Sequence, residues 1–261
     1  MIVKHIKVKT ALSKSGLKEL DYSLNPYFGC AYACTYCYAR FFTPQKEASE
    51  KWGEVIYVKD NLIEVLGREV SVYKRGIVGV STITDPYQPV EGIYRLTRAS
   101  ISLLLKKGFR VSIQTKSPLV LRDLDILLER KDLVDVGLTV TTLNDYESIE
   151  PKAPPPKARL RALERLSEEG LETWLFIGPI IQGINDNEVE EIIEEVSNVK
   201  TRIIFDKFRR YPGLNYRSGN ETWWKTIKTK ILELCKRYTL ECHEESEDWI
   251  YEKRRFYKPL F

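Results

Sequence analysis

Three cysteines fall within one short window, Gly29-Cys30-Ala31-Tyr32-Ala33-Cys34-Thr35-Tyr36-Cys37-Tyr38-Ala39-Arg40. A C-x3-C-x2-C spacing puts three thiolates where they can wrap one face of an iron–sulfur cube, leaving one iron without a protein ligand. A cluster that only carries electrons usually takes a fourth Cys, and a structural zinc site closes its shell with four ligands. Here the other candidates, His5, Cys235, Cys242 and His243, are remote in sequence. An open iron is a place for a substrate or cofactor to bind, by the logic that separates catalytic from structural metal sites. A zinc knuckle or three buried free thiols are the alternatives. A disulfide framework is not expected of five cysteines in 261 residues, because such frameworks staple much shorter secreted chains. Cys235 and Cys242, in or just after a predicted helix, read as core residues.

Residues of this kind need a rigid scaffold, and the chain downstream supplies one. From Gly76, short β-branched runs (77–83, 109–115, 134–142, 173–181 and 202–208) alternate with amphipathic stretches (94–107, 120–129, 156–169, 187–198 and 221–238). Upstream, 55–58 reads as a short strand and 61–73 as a helix. The helix at 156–169 starts on Pro, spaces Leu160, Leu163 and Leu166 along one face and stops at Gly170. About six βα units in strict alternation predict parallel strands with right-handed crossovers. Six units fall short of the eight of a closed barrel, so a partial TIM-type barrel is expected. Residues 1–20 are then an N-terminal extension, 21–210 the barrel and 211–261 a C-terminal helical extension.

The composition, 43% hydrophobic and 30% charged, is that of a globular chain, and no apolar run reaches membrane-spanning length. With no signal-peptide pattern at the N-terminus, a cytoplasmic protein without membrane contact is expected. The net charge is +4, with basic residues gathered in 1–120 and 200–261 around an acidic middle. A basic rim facing a polyanion is one reading of this pattern; solvated helix faces are the other. In the C-terminal part, Arg209-Arg210-Tyr211, Trp223-Trp224 and Arg254-Arg255-Phe256-Tyr257-Lys258 interleave basic and aromatic residues. They could grip phosphates and stack on bases, or, for the tryptophans, begin the last helix and cover the open side of the barrel.

The cysteine spacing, with the aromatic Tyr36 before the third Cys, resembles the signature of the radical S-adenosylmethionine (SAM) superfamily. The resemblance implies a [4Fe-4S] cluster on Cys30, Cys34 and Cys37 whose open iron chelates SAM. It implies reductive cleavage of SAM to a 5′-deoxyadenosyl radical that takes a hydrogen atom from substrate, and an electron donor such as a reductase, flavodoxin or ferredoxin. Further blocks resemble the spore photoproduct lyase-like branch, often labelled DNA repair photolyase. They are Asn25–Cys30, Tyr36–Arg40, Thr84–Glu91, Gln114–Ser117, Glu150–Pro154, Arg159-Leu160 and Pro179–Asp186, in the expected order.

That resemblance assigns roles residue by residue. Thr84, Asp85 and Glu91 would end the second barrel strand, with Asp85 or Glu91 holding the SAM amino group. Thr115, Lys116 and Ser117 would end the third, with Lys116 pairing with the SAM carboxylate. Thr141 could bond the ribose, Arg159 could answer SAM or Glu150, and Gly183, Ile184 and Asn185 could line the adenine. Tyr36 and Tyr38 match tyrosines implicated in hydrogen-atom relay, although the first packs near adenine in most radical enzymes. The chain departs from the lyases at one position: a cysteine expected three residues before the aspartate is Thr82 here. Its hydroxyl cannot return a hydrogen atom as a thiol does, so thymine-dimer splitting by that route is not expected. The implied substrate is a nucleic acid undergoing lesion repair or nucleotide modification. A peptide or small metabolite is the second reading, and a non-catalytic zinc or iron–sulfur protein the third.

Overall fold

The computed structural model describes residues 1–245; the basic–aromatic segment Arg254–Lys258 lies outside them. The strands are β1 (Ile2–Ile6), β2 (Leu12–Lys14), β3 (Tyr22–Leu24), β4 (Tyr27–Phe28), β5 (Val55–Lys59) and β6 (Ile77–Val80). They continue with β7 (Arg110–Thr115), β8 (Val134–Thr139), β9 (Glu172–Ile180), β10 (Arg202–Lys207) and β11 (Glu241–Glu244). One eight-stranded sheet runs β2-β3-β6-β7-β8-β9-β10-β11. Every pair in it is parallel except β2 with β3. Among the described residues the edge strands β2 and β11 do not pair, so the curved sheet is a partial barrel, as the alternating pattern predicts.

Parallel strands are covered on their outer face by crossover helices and read as apolar runs. β6 and β8 are buried along their whole length. β7 alternates instead: Val111, Ile113 and Thr115 are buried while Arg110, Ser112 and Gln114 are half-buried. The helix Pro156–Glu168 buries Leu160, Leu163 and Leu166 as its spacing requires, and Gly170 follows it at φ +77°.

The first strand of the barrel differs from the expectation. The run at 55–58 does form a strand, β5, but it pairs with β1 and β4 in a separate three-stranded sheet. The barrel opens instead with β3, too short to carry a pattern of its own. Residues 1–20 supply β1 to the small sheet and β2 to the large one, and β11 adds a further parallel strand after the last helix. β6 stops at Val80, short of the expected 83, because the Asn25 carboxamide draws the chain away by accepting from the backbone N–H groups of Thr82 and Ile83, both at 3.0 Å.

In the C-terminal part the structure chooses between the two readings of the tryptophans and corrects one expectation about the cysteines. Trp223 and Trp224 begin the helix Glu221–Tyr238, and their indoles donate inward, to Asp186 and Glu244, each at 2.9 Å. They fasten the helix to the barrel and are not free to stack on bases. Cys235 is buried in the core, but it is joined to Cys242 by a disulfide that ties this helix to β11. A staple was not expected from so few cysteines; topology brings together two that sequence spacing left unassigned.

Candidate active site

The cysteine loop leaves β4 at Gly29, whose φ of +82° and the carbonyl of Val55, which would lie 2.5 Å from any Cβ, leave room only for glycine. The loop is stitched to the segment after β6. The Gln88 side chain accepts from Ala31 N–H at 2.9 Å and donates to the Gly29 carbonyl at 3.1 Å. Thr84 donates to the same carbonyl at 2.6 Å, and Tyr32 donates to the Tyr87 carbonyl at 3.0 Å. On its other side Thr35 N–H and Oγ1 both donate to the Ile149 carbonyl, at 2.9 and 3.1 Å. Cys30 and Cys34 are buried and Cys37 is half-buried, in a cluster with Tyr32, Tyr36, Ile149, Ala153, Ile181, Phe208 and Leu214. None of the three is in a disulfide.

Burial pushes all three thiols up, Cys34 to about 12, while Lys116 draws Cys34 and Cys37 down. Lys116, at the end of β7, is half-buried, with Nζ 3.7 Å from Glu150 Oε1 and 5.7 Å from the Tyr36 ring centre. Burial acts to lower its ammonium pKa, but Glu150 and Cys34 outweigh that and hold it above the ordinary lysine value. Glu150 is fully buried, and Lys116 and Arg159 overcome its desolvation and hold it below the usual carboxylate range. Arg159, also fully buried, meets Glu150 Oε2 at 2.5 Å and donates to the carbonyls of Pro154 and Thr139. The Tyr36 hydroxyl donates to Glu150 and lies 2.9 Å from Thr141 Oγ1, which donates to the Gly178 carbonyl. Lys116 and Arg159 thus answer the Glu150 carboxylate and leave positive charge beside Cys34, where a thiolate is favoured.

Asp85 is held between the two loops. It accepts from Thr115 Oγ1 at 2.6 Å, Tyr87 N–H at 2.9 Å and Lys116 N–H at 2.8 Å. Burial raises its pKa against these donors, and its charge raises that of Cys30 in turn. Ser117 accepts from Leu119 N–H and caps the 3-10 turn Pro118–Asp123. Asn185 is a buried brace: it accepts from Ile181 N–H and donates to the carbonyls of Thr141 and Pro179. Gly183 (φ +76°) and Ile184 form the exposed outer part of that turn.

The structure therefore brings Cys30, Cys34, Cys37, Tyr36, Thr84, Asp85, Thr115, Lys116, Ser117, Thr141 and Arg159 to one end of the strands, where barrel active sites are built. Glu91 stands apart. Its fully buried carboxylate accepts from Tyr27 Oη, the N–H groups of Thr97 and Arg98, and Arg122, so it caps the helix Leu96–Lys106. Four donors from the helix start, Tyr27 and Arg122 already engage it away from the cysteine loop, a geometry that favours a helix cap over the expected role as a ligand of the SAM amino group. Thr82, at the position of the expected thiol, bonds Asn25 and receives the Tyr38 hydroxyl on its carbonyl at 3.0 Å. Sequence reasoning passed over Asn25 and Gln88, although both lie inside blocks that carried the family resemblance.

Tyr38 is 42% exposed and stacks at 5.8 Å on Tyr211, which also stacks at 5.9 Å on Phe41 and meets Phe42 edge-on. Phe41 and Phe42 are 42% and 56% exposed. Arg40 lies over the Phe41 ring, and the exposed Arg209 and Arg210 precede Tyr211.

A three-thiol site of this kind on a partial barrel defines a class of cofactor-dependent enzymes, and the comparisons name it. The family described as the radical SAM superfamily matches residues 24–196, and the chain belongs to that superfamily. It is an enzyme of SAM-cleaving radical chemistry, and its family works with SAM, an iron–sulfur cluster and an electron donor. An uncharacterized protein of Methanocaldococcus jannaschii is 35% identical over 247 residues, 89% of this chain and 92% of that one. Another, of Acidianus two-tailed virus, is 31% identical over 258 residues, 90% and 85% of the two chains. A spore photoproduct lyase complexed with dinucleoside spore photoproduct has the same fold, with a TM-score of 0.70 at 14% identity over 93% of this chain and 81% of that one.

The thiols fit the family's cluster in their chemistry: three buried or half-buried free sulfurs on one loop, with the remaining cysteines bonded to each other. Among the described residues no three His, Cys, Asp or Glu side chains converge on one ion; a cubane places each thiolate on a different iron, so its sulfurs need not converge. No helix among the described residues is long and apolar enough to cross a membrane.

Proposed function

We propose that this enzyme carries a [4Fe-4S] cluster on Cys30, Cys34 and Cys37 and acts on a nucleic acid. When bound, the cluster and SAM supply a 5′-deoxyadenosyl radical that abstracts hydrogen from substrate. The protein's own part is to position and to insulate. Lys116, kept charged by Glu150, offers an ammonium to the SAM carboxylate as a point charge. Arg159 holds Glu150 in place, and Glu150 fixes the Tyr36 hydroxyl beside Thr141, so that Tyr36 forms a rigid wall of the site. Asp85 and Thr84 face the SAM amino group from the loop stitched to the cysteines. The turn at Gly183 and Ile184, braced by Asn185, lines the adenine. Tyr38, exposed next to Cys37, is the residue placed to meet substrate, and the electron comes from a reductase, flavodoxin or ferredoxin.

The observation that carries the substrate is the exposed stack of Phe41, Tyr211, Tyr38 and Phe42 with Arg40, Arg209 and Arg210 around it. Aromatic faces stack on unpaired bases of any sequence and arginines track phosphates. A base reaching the site would be flipped out or single-stranded. The dinucleoside bound by the lyase of like fold supports the same class of substrate. Thr82 and the disulfide-bonded Cys235 and Cys242 leave no thiol outside the cluster loop among the described residues, which favours modification over lyase-type thymine repair.

Anaerobic reconstitution tests the cofactor: about four irons and four sulfides per chain and 5′-deoxyadenosine from SAM under reduction are expected, and zinc without SAM cleavage sinks the proposal. Single-stranded DNA or RNA should bind with a steep loss of affinity as salt rises; no binding at low salt overturns the nucleic-acid reading.

A further inference from the structure

The open barrel encloses a cavity of about 100 Å³ behind Tyr38, with Trp174 and Phe176 among its apolar walls. Its polar lining is Glu19, Ser81, Thr82, Ser112, Gln114 and Glu245. We infer that this cavity receives a primary amine, or a cationic group of similar hydrogen-bonding capacity, carried by the substrate.

Two independent features point there. The first is a carboxyl pair: Glu245 bonds the side chain of Asp206, which is itself held by Arg209 at 3.0 Å. Burial and the neighbouring Asp206 push Glu245 up to about 8, so Glu245 holds its proton at neutral pH. An arriving ammonium takes the place of that proton: it donates to the Glu245 carboxylate that lines the cavity, and the proton leaves to solvent. The second is Ser81, whose Oγ is buried, lines the cavity and has no hydrogen-bond partner among the described residues, with the residue 9% exposed. A buried polar group without a partner is costly and calls for one. A –NH3⁺ group brings several donors, enough for the Ser81 hydroxyl and the Glu245 carboxylate together. A phosphate entering the same space would meet carboxylates and be rejected.

The place also makes chemical sense. Tyr38, which lines the cavity, follows the cluster cysteine Cys37 directly and hangs by its hydroxyl from the Thr82 carbonyl. A group bound here is held behind Tyr38, whose ring also stacks on Tyr211 at the arginine and aromatic surface. The inference rests on the proposed function only in taking the cavity as the substrate's.

The test uses the reconstituted enzyme and n-butylamine against n-butanol, with affinities read by ligand-observed NMR at pH 7.5. The amine should bind about tenfold more tightly, and Glu245→Gln should abolish that preference while its urea unfolding curve stays near wild type. Should Glu245→Gln misfold, Asp206→Asn makes the same test. Equal affinities, or a preference undiminished in both variants, overturn the inference. Single-stranded DNA with one 5-aminomethyl pyrimidine, compared with its 5-hydroxymethyl counterpart, separates it from the broader reading. Tighter binding of the amine strand that Glu245→Gln removes supports both. Equal binding of the two strands overturns the amine pocket and leaves the nucleic-acid reading standing. Binding of neither strand, with the n-butylamine preference intact, supports the pocket and removes the nucleic acid.

Discussion

Lys116 is the residue whose loss best separates cofactor binding from folding. It is half-buried between Cys34 and Glu150, and Arg159 alone still neutralises Glu150. Lys116→Ala should weaken SAM affinity of the reconstituted enzyme about tenfold or more, by equilibrium dialysis, with little change in unfolding free energy; unchanged affinity removes Lys116 from the site. Arg159→Ala does the opposite. It leaves the fully buried Glu150 facing only Lys116, and breaking a buried pair costs about 3–5 kcal/mol, which urea denaturation will read. Glu91→Ala should likewise destabilise, through Arg122, Tyr27 and the helix N–H groups it leaves unpaired, while SAM binding by the surviving folded protein stays as it was.

At the scale of elements, two joints hold sequence-remote parts together. The Cys235–Cys242 bond closes a short loop between the last helix and β11. Its reduction should lower stability by about 2–3 kcal/mol on chain-entropy grounds, measured as the shift of a urea midpoint on adding dithiothreitol to the apoprotein. The other joint is Lys59 at the end of β5, which donates to the Asn25 carbonyl at 2.6 Å and lies 4.0 Å over the Phe28 ring. Burial pushes its ammonium down to about 8, below the value near 10.4 of an unfolded lysine. Between those values the unfolded chain binds more protons than the folded one, so this contribution to stability rises as pH climbs from about 8 to about 10.4. Subtracting the pH profile of Lys59→Met from that of the wild type should isolate this rise; a flat difference would show that Lys59 is not buried in solution.

Taken as a whole molecule, the chain sets an aromatic and arginine-rich surface beside a partial barrel whose interior carries carboxyl groups. Arg209→Ala with Arg210→Ala should make nucleic-acid binding weaker and flatten its dependence on log salt by about one unit for each phosphate left unneutralised. A variant that binds with an unaltered salt slope would place the polyanion elsewhere. The net charge of +4 does not decide this, since charge acts through where the tertiary fold gathers it.

What the residues determined unaided was local or periodic. Thiol spacing names a cluster because three cysteines on one short loop are near each other in any compact fold. Alternating β-branched and amphipathic runs name parallel strands because burial on both faces leaves that imprint. Hence the barrel, and Asp85 and Lys116 at the ends of its strands, were legible before any coordinates. Tertiary structure alone decided the rest, because it depends on contacts between distant positions. β3 and β4 are too short to show a period, and β1 and β2 only acquire a place through β5 and β3. Glu91 looks like a ligand in its sequence block, yet Arg122 and the next helix claim it. Cys235 and Cys242 look like core residues until β11 returns beside the helix and joins them. The pairing of Asp206 with Glu245, which lines the cavity, exists because β10 and β11 lie side by side.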